Sequence, residues 1–323
     1  MSTRKKIFDY IKKRQQVTVG ELVDEFGMSR WGVYKHINKL LEENKVTKIG
    51  KPPKVFYLIK EEKTSDLADT VLSCDKGKII EENYLIITPS GERKEGVEGF
   101  VYWCNKNSQD VSKAADDYIK TLEKYNNYKK EGVVDGTDKF QNTFEEVFLD
   151  NVYYLDFYSI ERFGKTKLGQ LLLYGKQSGN RRIIKEIIET IKPKIEKIIR
   201  VHKIDAVGFI PWTVKREVQI MREIEKGLKL SKGKLKIEKI KTEIAVPQKT
   251  LNKLDDRIEN AEKTIILTEN IRYKNVLLID DAVGSGATMN ETAKQIRDKK
   301  IAKKIVGVSI TGSFKGFDVI SEV

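Results

Sequence analysis

The chain has few cysteines, prolines and histidines: its 323 residues contain two, six and two of them respectively. Cys74 and Cys104 form no C-x-x-C pair, which excludes a disulfide framework and a zinc ribbon. His36 and His202 read as surface or structural residues rather than general bases. No apolar run approaches the roughly 20 residues needed to span a bilayer. The opening Met1-Ser2-Thr3-Arg4-Lys5-Lys6 lacks the apolar stretch and small-residue cleavage site of a signal peptide. These absences predict a cytoplasmic protein with no membrane partner.

Charge is plentiful and uneven. Charged residues make up 34% of the chain, hydrophobic ones 39%, and the net charge is +13. Residues 1–60 hold fourteen Lys/Arg against six Asp/Glu, so they contribute +8 and the rest of the chain +5. Such a basic segment is the electrostatic footprint of a phosphate-backbone binder.

Within residues 1–60, Ile7, Phe8 and Ile11 recur at helical spacing up to a break at Gln15-Gln16. Val17 and Val19 form an extended link, and Leu22, Val23 and Phe26 predict a short helix ending at Gly27. Ser29 can cap a third helix with a buried stripe of Val33, Ile37, Leu40 and Leu41. Its opposite face carries Arg30, Trp31, Tyr34, Lys35 and Asn38, which suit phosphates, base edges and thymine methyls in a major groove. Two β-prone runs follow, Val46–Ile49 and Val55–Ile59, joined by Gly50-Lys51-Pro52-Pro53-Lys54. This order resembles the winged helix-turn-helix, and the resemblance implies a double-stranded DNA partner. Ser29, Arg30, Trp31, Tyr34, Lys35 and Asn38 would contact it from the third helix. Lys48, Lys51 and Lys54 would add salt-dependent contacts from the hairpin. Duplex readers of this kind are usually dimers, so a homodimer is expected.

Residues 61–149 read as an α+β connecting segment. Residues 61–70 form a polar linker or short helix, Tyr84–Thr88 and Gly99–Cys104 two strands around Pro89-Ser90-Gly91, and Val111–Lys130 an amphipathic helix. A turn at 132–136 follows. No catalytic constellation stands out, and the Trp103-Cys104 pair reads as core.

The strongest pattern lies at 276–288. Val276-Leu277-Leu278-Ile279 reads as a strand buried on both faces, as in a parallel sheet. Asp280 and Asp281 emerge at its carboxyl end, where open α/β sheets place their ligands. Val283-Gly284-Ser285-Gly286-Ala287-Thr288 then forms a tight loop before a helix over about Met289–Lys299. Glycines at 284 and 286 let backbone N–H groups converge on an anion, and the helix dipole adds to them. Ser285 and Thr288 can donate hydroxyl hydrogen bonds to the same anion. The two acids are acceptors of the kind that ribose hydroxyls require. A phosphate cradle beside a diol reader describes a sugar-phosphate site. A Walker motif fits less well, because Ser159 stands where the glycine before Phe163-Gly164-Lys165-Thr166 is needed. A dinucleotide turn fits less well too, because Gly284-x-Gly286 is followed by Met289 rather than glycine.

The segment resembles the motif with which type I phosphoribosyltransferases bind 5-phosphoribosyl 1-diphosphate (PRPP). Gly284 and Ala282 depart from it, since the family has Thr or Ser and a larger aliphatic residue there. Asp205-Ala206-Val207-Gly208-Phe209-Ile210-Pro211 with Lys215-Arg216 is similar to that fold's first strand and pyrophosphate loop. The spacing of Gln248, Leu251, Arg257 and Asn260 looks like the ComF branch, which is associated with DNA uptake. Tyr174-Gly175-Lys176 followed by a helix resembles the opening of that domain. The ComF zinc ribbon has no counterpart here, and Arg216-Glu217-Val218-Gln219 lacks the glycine of the family's Arg-Gly-Phe-Asn-Gln run.

The resemblance covers roughly 150–323 and implies an α/β chain of three parts: an N-terminal winged helix-turn-helix at 1–60, the segment 61–149, and a type I phosphoribosyltransferase-like fold with a parallel sheet. It implies PRPP or a nucleotide as ligand, with Mg2+ entering through bound PRPP and through Asp280 and Asp281. Lys215, Arg216, Lys241 and Lys249 are the candidates for contacting the diphosphate. Phosphoribosyl transfer needs no covalent nucleophile, so positioning and cations carry the rate and no residue is singled out as catalytic. Three functions remain open: a DNA-binding regulator whose transferase-fold domain senses PRPP or a nucleotide, which is the leading expectation; an active phosphoribosyltransferase in nucleotide salvage or synthesis; and a ComF-like accessory protein in DNA uptake or processing.

Overall fold

In the computed structural model, which describes residues 2–60, 72–240, 242–244 and 246–313, the contacts divide the chain into two units, 1–67 and 68–323. The first unit begins with helix α1 (Thr3–Arg14), strand β1 (Gln16–Val17) and helix α2 (Val19–Phe26). Thr18 and Glu21 form a reciprocal capping box at the start of α2, and Gly27 ends it in the left-handed region. Helix α3 (Arg30–Glu42) is capped by Ser29, whose hydroxyl accepts from the Gly32 N–H at 3.2 Å. Strands β2 (Val46–Lys51) and β3 (Lys54–Ile59) pair antiparallel, and β1 joins β3 on its other edge. Ile7, Ile11, Leu22, Val33, Ile37 and Leu40 are buried at the centre of this unit, so the periodicities of the sequence are the packing faces of the helices.

The second unit opens with helix α4 (Cys74–Asn83), strands β4 (Leu85–Ile87) and β5 (Arg93–Glu95), and helices α5 (Gly96–Lys106) and α6 (Val111–Asn126). Gly99–Cys104, expected as a strand, lies inside α5. Its apolar residues sit at 97, 100, 101 and 104, and that helical spacing buries Phe100 and Cys104 together. The partner of β4 is β5, from the polar stretch before it. The expected helix over 111–130 ends at Asn126, and β6 (Lys129–Lys130) and β7 (Val133–Asp135) follow.

Helix α7 (Thr137–Thr143) leads to β8 (Asn151–Phe157), α8 (Lys167–Ser178) and the long α9 (Arg181–Val201). Tyr174-Gly175-Lys176 thus lies near the end of α8, and the helix expected after it is α9. The remaining elements are β9 (Ala206–Phe209), α10 (Ile220–Leu228), β10 (Gly233–Lys234), β11 (Ile237–Lys239), α11 (Leu254–Thr264), β12 (Ile265–Leu267), β13 (Tyr273–Val283), α12 (Ala287–Asp298) and β14 (Ala302–Gly312).

Seven strands form one mixed sheet in the order β10-β9-β13-β14-β8-β7-β6. The five from β10 to β8 run parallel, and β7 and β6 complete it antiparallel. Strand β13 is interior, with Leu277 opposite Val207 on one side and Val306 on the other. Its side chains divide between two apolar layers, each a helix face packed on the sheet. Leu277 and Ile279 meet α8, α9 and α10, while Val276 and Leu278 belong to the layer with α5, α6, α7 and α12. This is the both-faces burial that an uninterrupted aliphatic run in a parallel strand requires. Residues 72–149, read from the sequence as a connecting segment, belong to the second unit and supply two strands of its sheet and much of one helical layer. No helix among the described residues is long and apolar enough to cross a membrane.

Candidate ligand site

Strand β13 ends level with β14 and runs on past the end of β9, and its last residues open into a cavity of about 340 Å³. Asp280 to Thr288 all line it, so the two acids and the glycine loop face one space. The loop turns tightly into α12. Gly286 is the cap residue at φ +90°, a conformation that a residue with a Cβ rarely adopts. The Ser285 hydroxyl accepts from the Ala287 N–H at 3.3 Å. The N–H groups of the first turn of α12 thus open toward the cavity beside two carboxylates.

The acid pair is asymmetric. Asp281 is ion-paired with Lys176 of α8, and their side chains are 14% and 34% exposed. Asp280 accepts from the Asp281 N–H at 2.8 Å. Burial, joined by the Asp281 carboxylate, pushes the Asp280 carboxyl up to about 7, while Lys176 and Lys239 pull it back. Burial works against the charge of Lys176, but Asp281 outweighs it and holds the ammonium above the usual lysine value. Burial lowers Lys239, whose Nζ donates to the Thr213 hydroxyl at 2.9 Å. Around two acids the site therefore gathers Lys176, Arg216 and Arg257 on the cavity wall and Lys239 close behind. That excess of cations suits a ligand with more than one anionic group.

Of the proposed diphosphate contacts, Arg216 lines the cavity, whereas Lys215 is exposed and does not. Lys241 lies outside the described residues, as do the side chains of Lys249 and Lys51. Gln248, Leu251, Arg257 and Asn260 come together in the structure. The Gln248 amide donates to the Arg257 carbonyl at 2.9 Å and to Asn260 Oδ1 at 3.1 Å, and Arg257 Nε donates to the Leu251 carbonyl at 2.7 Å. This cluster fixes the loop that carries Pro247 and Gln248 into the cavity wall. The other wall is apolar, with Tyr158, Leu172, Trp212, Val214 and Met221.

The sequence reading missed the parts of the site that come from far along the chain. Lys176 stands out in the sequence only within Tyr174-Gly175-Lys176, and Lys239 does not stand out at all. The residues behind the loop, Lys139 and Phe140, sit in a stretch with no motif. Only their three-dimensional placement distinguishes them among the 61 Lys/Arg and 12 Phe of the chain.

In the first unit Arg30, Trp31, Tyr34, Lys35 and Asn38 are all exposed on α3, with Trp31 76% accessible and the Lys35 ammonium over its ring at 5.8 Å. Lys48 and Lys54 are exposed on the hairpin. Among the described residues no three His, Cys, Asp or Glu side chains come together as a metal site.

No protein-family model matches the chain. No curated protein matches it either. Among solved structures, one that it is similar to is a crystal structure of a hypoxanthine phosphoribosyltransferase from Staphylococcus aureus, at 16% identity and a TM-score of 0.24. The match covers 39% of this chain and spans 61% of that one.

Proposed function

We infer that the second unit is a phosphoribosyltransferase-type domain that binds PRPP with Mg2+ and transfers its phosphoribosyl group. The observation that carries this reading is the convergence of Asp280, Asp281 and the loop 284–288 on one cavity whose other charged residues are cations. In it the loop and the start of α12 hold the 5-phosphate, Asp280 and Asp281 accept from the ribose hydroxyls, and Arg216 with Lys176 faces the diphosphate. Asp280 and Asp281 would hold Mg2+ together with the diphosphate that carries it. The donor set fits that role: Asp280 and Asp281 are hard carboxylates, too few to form a site of their own. When bound, the ion neutralises charge on the leaving diphosphate. The C1–oxygen bond to diphosphate breaks, its electron pair leaving with the diphosphate, as a lone pair of the acceptor bonds to C1 and the acceptor's proton passes to water. The apolar wall at Tyr158, Trp212 and Met221 suits a flat acceptor.

The first unit, with helix, strand, two helices and a hairpin, is a winged helix-turn-helix that places α3 in the major groove of duplex DNA. A second reading follows from the exposed Trp31 face: the domain acts as a sensor, and PRPP or a nucleotide changes the affinity for DNA by binding two states of the protein unequally.

Titration calorimetry of Mg2+-PRPP into the full-length protein tests the main reading, with Asp280→Asn/Asp281→Asn as control. Binding lost in the double variant, with release of diphosphate from the wild type on addition of an acceptor, supports it. No heat from the wild type up to about millimolar ligand, weaker than any site of about 4 kcal/mol, overturns it.

A further inference from the structure

Two consecutive residues of α7 support the loop that faces the cavity. Lys139 Nζ donates to the carbonyl of Gly284 at 3.1 Å and to the carbonyl of Ser313 at 3.3 Å. Phe140 is fully buried, and its ring lies 2.4 Å from where a Cβ on Gly286 would stand. Neither residue lines the cavity, whereas Gly284, Ser285 and Gly286 do. Helix α7 is itself held against the sheet. The Thr137 hydroxyl accepts from the Val152 N–H at 3.0 Å, and the Gly136 N–H donates to the Val152 carbonyl at 2.8 Å. Asn290 of α12 also bridges to the next turn of chain, accepting from the Phe148 N–H at 3.0 Å and donating to the Glu146 carbonyl at 2.9 Å.

Peptide planarity turns the first of these contacts into a statement about the ligand side. In a trans peptide the C=O of one residue and the N–H of the next point in opposite directions. With the Gly284 carbonyl drawn back onto the ammonium, the Ser285 N–H is turned away from Lys139, toward the face of the loop that lines the cavity. Glycine at 284 would otherwise let this peptide rotate.

We propose that Lys139 is a positioning residue for the ligand phosphate: its ammonium locks the Gly284–Ser285 peptide so that the Ser285 N–H faces the anion, and Phe140 supports the next turn at Gly286. The inference rests on the ribose-phosphate reading of the cavity. It gives the segment before β8 a task in binding, and it places the loop's support in residues that no phosphate motif contains. Burial lowers the Lys139 ammonium to about 8, so the charge stands in surroundings of low polarity, where its field reaches through the loop.

The test compares full-length wild type with Lys139→Met, Lys139→Gln and Lys139→Arg by titration with two probes, ribose 5-phosphate and Mg2+-diphosphate. Loss of the charged contact lowers affinity for ribose 5-phosphate by about tenfold to hundredfold in the Met and Gln variants. Lys139→Arg restores it to within a few fold, and Mg2+-diphosphate, which does not use the loop, binds all four proteins alike. Equal loss for both probes shows a general disturbance of the fold and overturns the proposal. Affinity for ribose 5-phosphate within twofold of wild type in either uncharged variant also overturns it, so the result does not depend on one variant folding. A wild type that binds neither ribose 5-phosphate nor Mg2+-PRPP overturns the ribose-phosphate reading itself, and this inference with it.

Discussion

The ammonium of Lys176, near the end of α8, is paired with the carboxylate of Asp281 at the end of β13, across 105 residues of sequence. The pair ties a helix of one layer to the mouth of an interior strand and leaves Asp280 as the less compensated acid. Removing either partner strands a part-buried charge. Lys176→Met and Asp281→Asn should each lower stability by about 1–3 kcal/mol. The double variant should lose less than the sum, because the coupling between contacting residues disappears with both. Urea denaturation of the four proteins checks this through their midpoints at unchanged slope. Strict additivity would mean that the pair contributes nothing.

Asp280 gives the site a pH dependence of defined sign. Burial and the neighbouring Asp281 raise its carboxyl from 3.8 to about 7, so the native state holds this proton more tightly than the unfolded chain. The associated stability is present in full below about 3.8 and is lost as the pH rises through about 7. Asp280→Asn removes that slope. Between pH 5 and 8 the wild type should therefore lose stability relative to the Asn variant, as read from denaturation midpoints along the series. A difference independent of pH would show that Asp280 is already ionised throughout.

The Gly286 position combines two constraints. Its φ of +90° strains any residue with a Cβ, and Phe140 occupies the space where the Cβ would go. Gly286→Ala should cost about 1–3 kcal/mol for the backbone and a similar amount for the overpacking. Gly286→Ala/Phe140→Leu should recover the second part and leave the first. Thermal melting of the three proteins separates the contributions, and no recovery in the double variant would place the whole cost in the backbone.

How much of this was legible in the sequence depends on the range of each interaction. Val276–Ile279 declared an interior strand because four aliphatic residues in a row need two apolar faces, and Asp280–Thr288 declared the mouth of a cavity because two acids at the end of a buried strand need solvent or a partner. Ser29 and Gly27 marked helix ends through local hydrogen bonding. Gly99–Cys104 misled because its aromatic and β-branched residues suit a strand, whereas the packing of Phe100 and Cys104 on the α6 side favours the helical period. Lys139, Lys176 and Lys239 were illegible for a different reason: a lysine's role is set by the carbonyl, carboxylate or hydroxyl it meets, and those partners are 145, 105 and 26 residues away. The segment 61–149 looked like a connector because its described strands are only two or three residues long, too short for an alternating pattern to show.

The proposed duplex contact of the first unit makes a prediction independent of the ligand site. Arg30, Trp31, Tyr34, Lys35 and Asn38 are exposed on α3, opposite the buried Val33, Ile37 and Leu40. Substitution there leaves the core untouched, so Trp31→Ala, at a residue 76% exposed, should leave the melting temperature within a degree or two. If Arg30 and Lys35 each neutralise a phosphate, replacing either with Ala should weaken duplex binding and lower the slope of log affinity against log salt by about one. Trp31→Ala should weaken binding without changing that slope, because the indole releases no counterion. Fluorescence anisotropy with a mixed-sequence duplex over a salt series reads both quantities at once. Slopes unchanged in Arg30→Ala and Lys35→Ala would place the basic face away from the nucleic acid. The charge of residues 1–60 would then serve solubility alone, and α3 would be left as a surface for a protein partner.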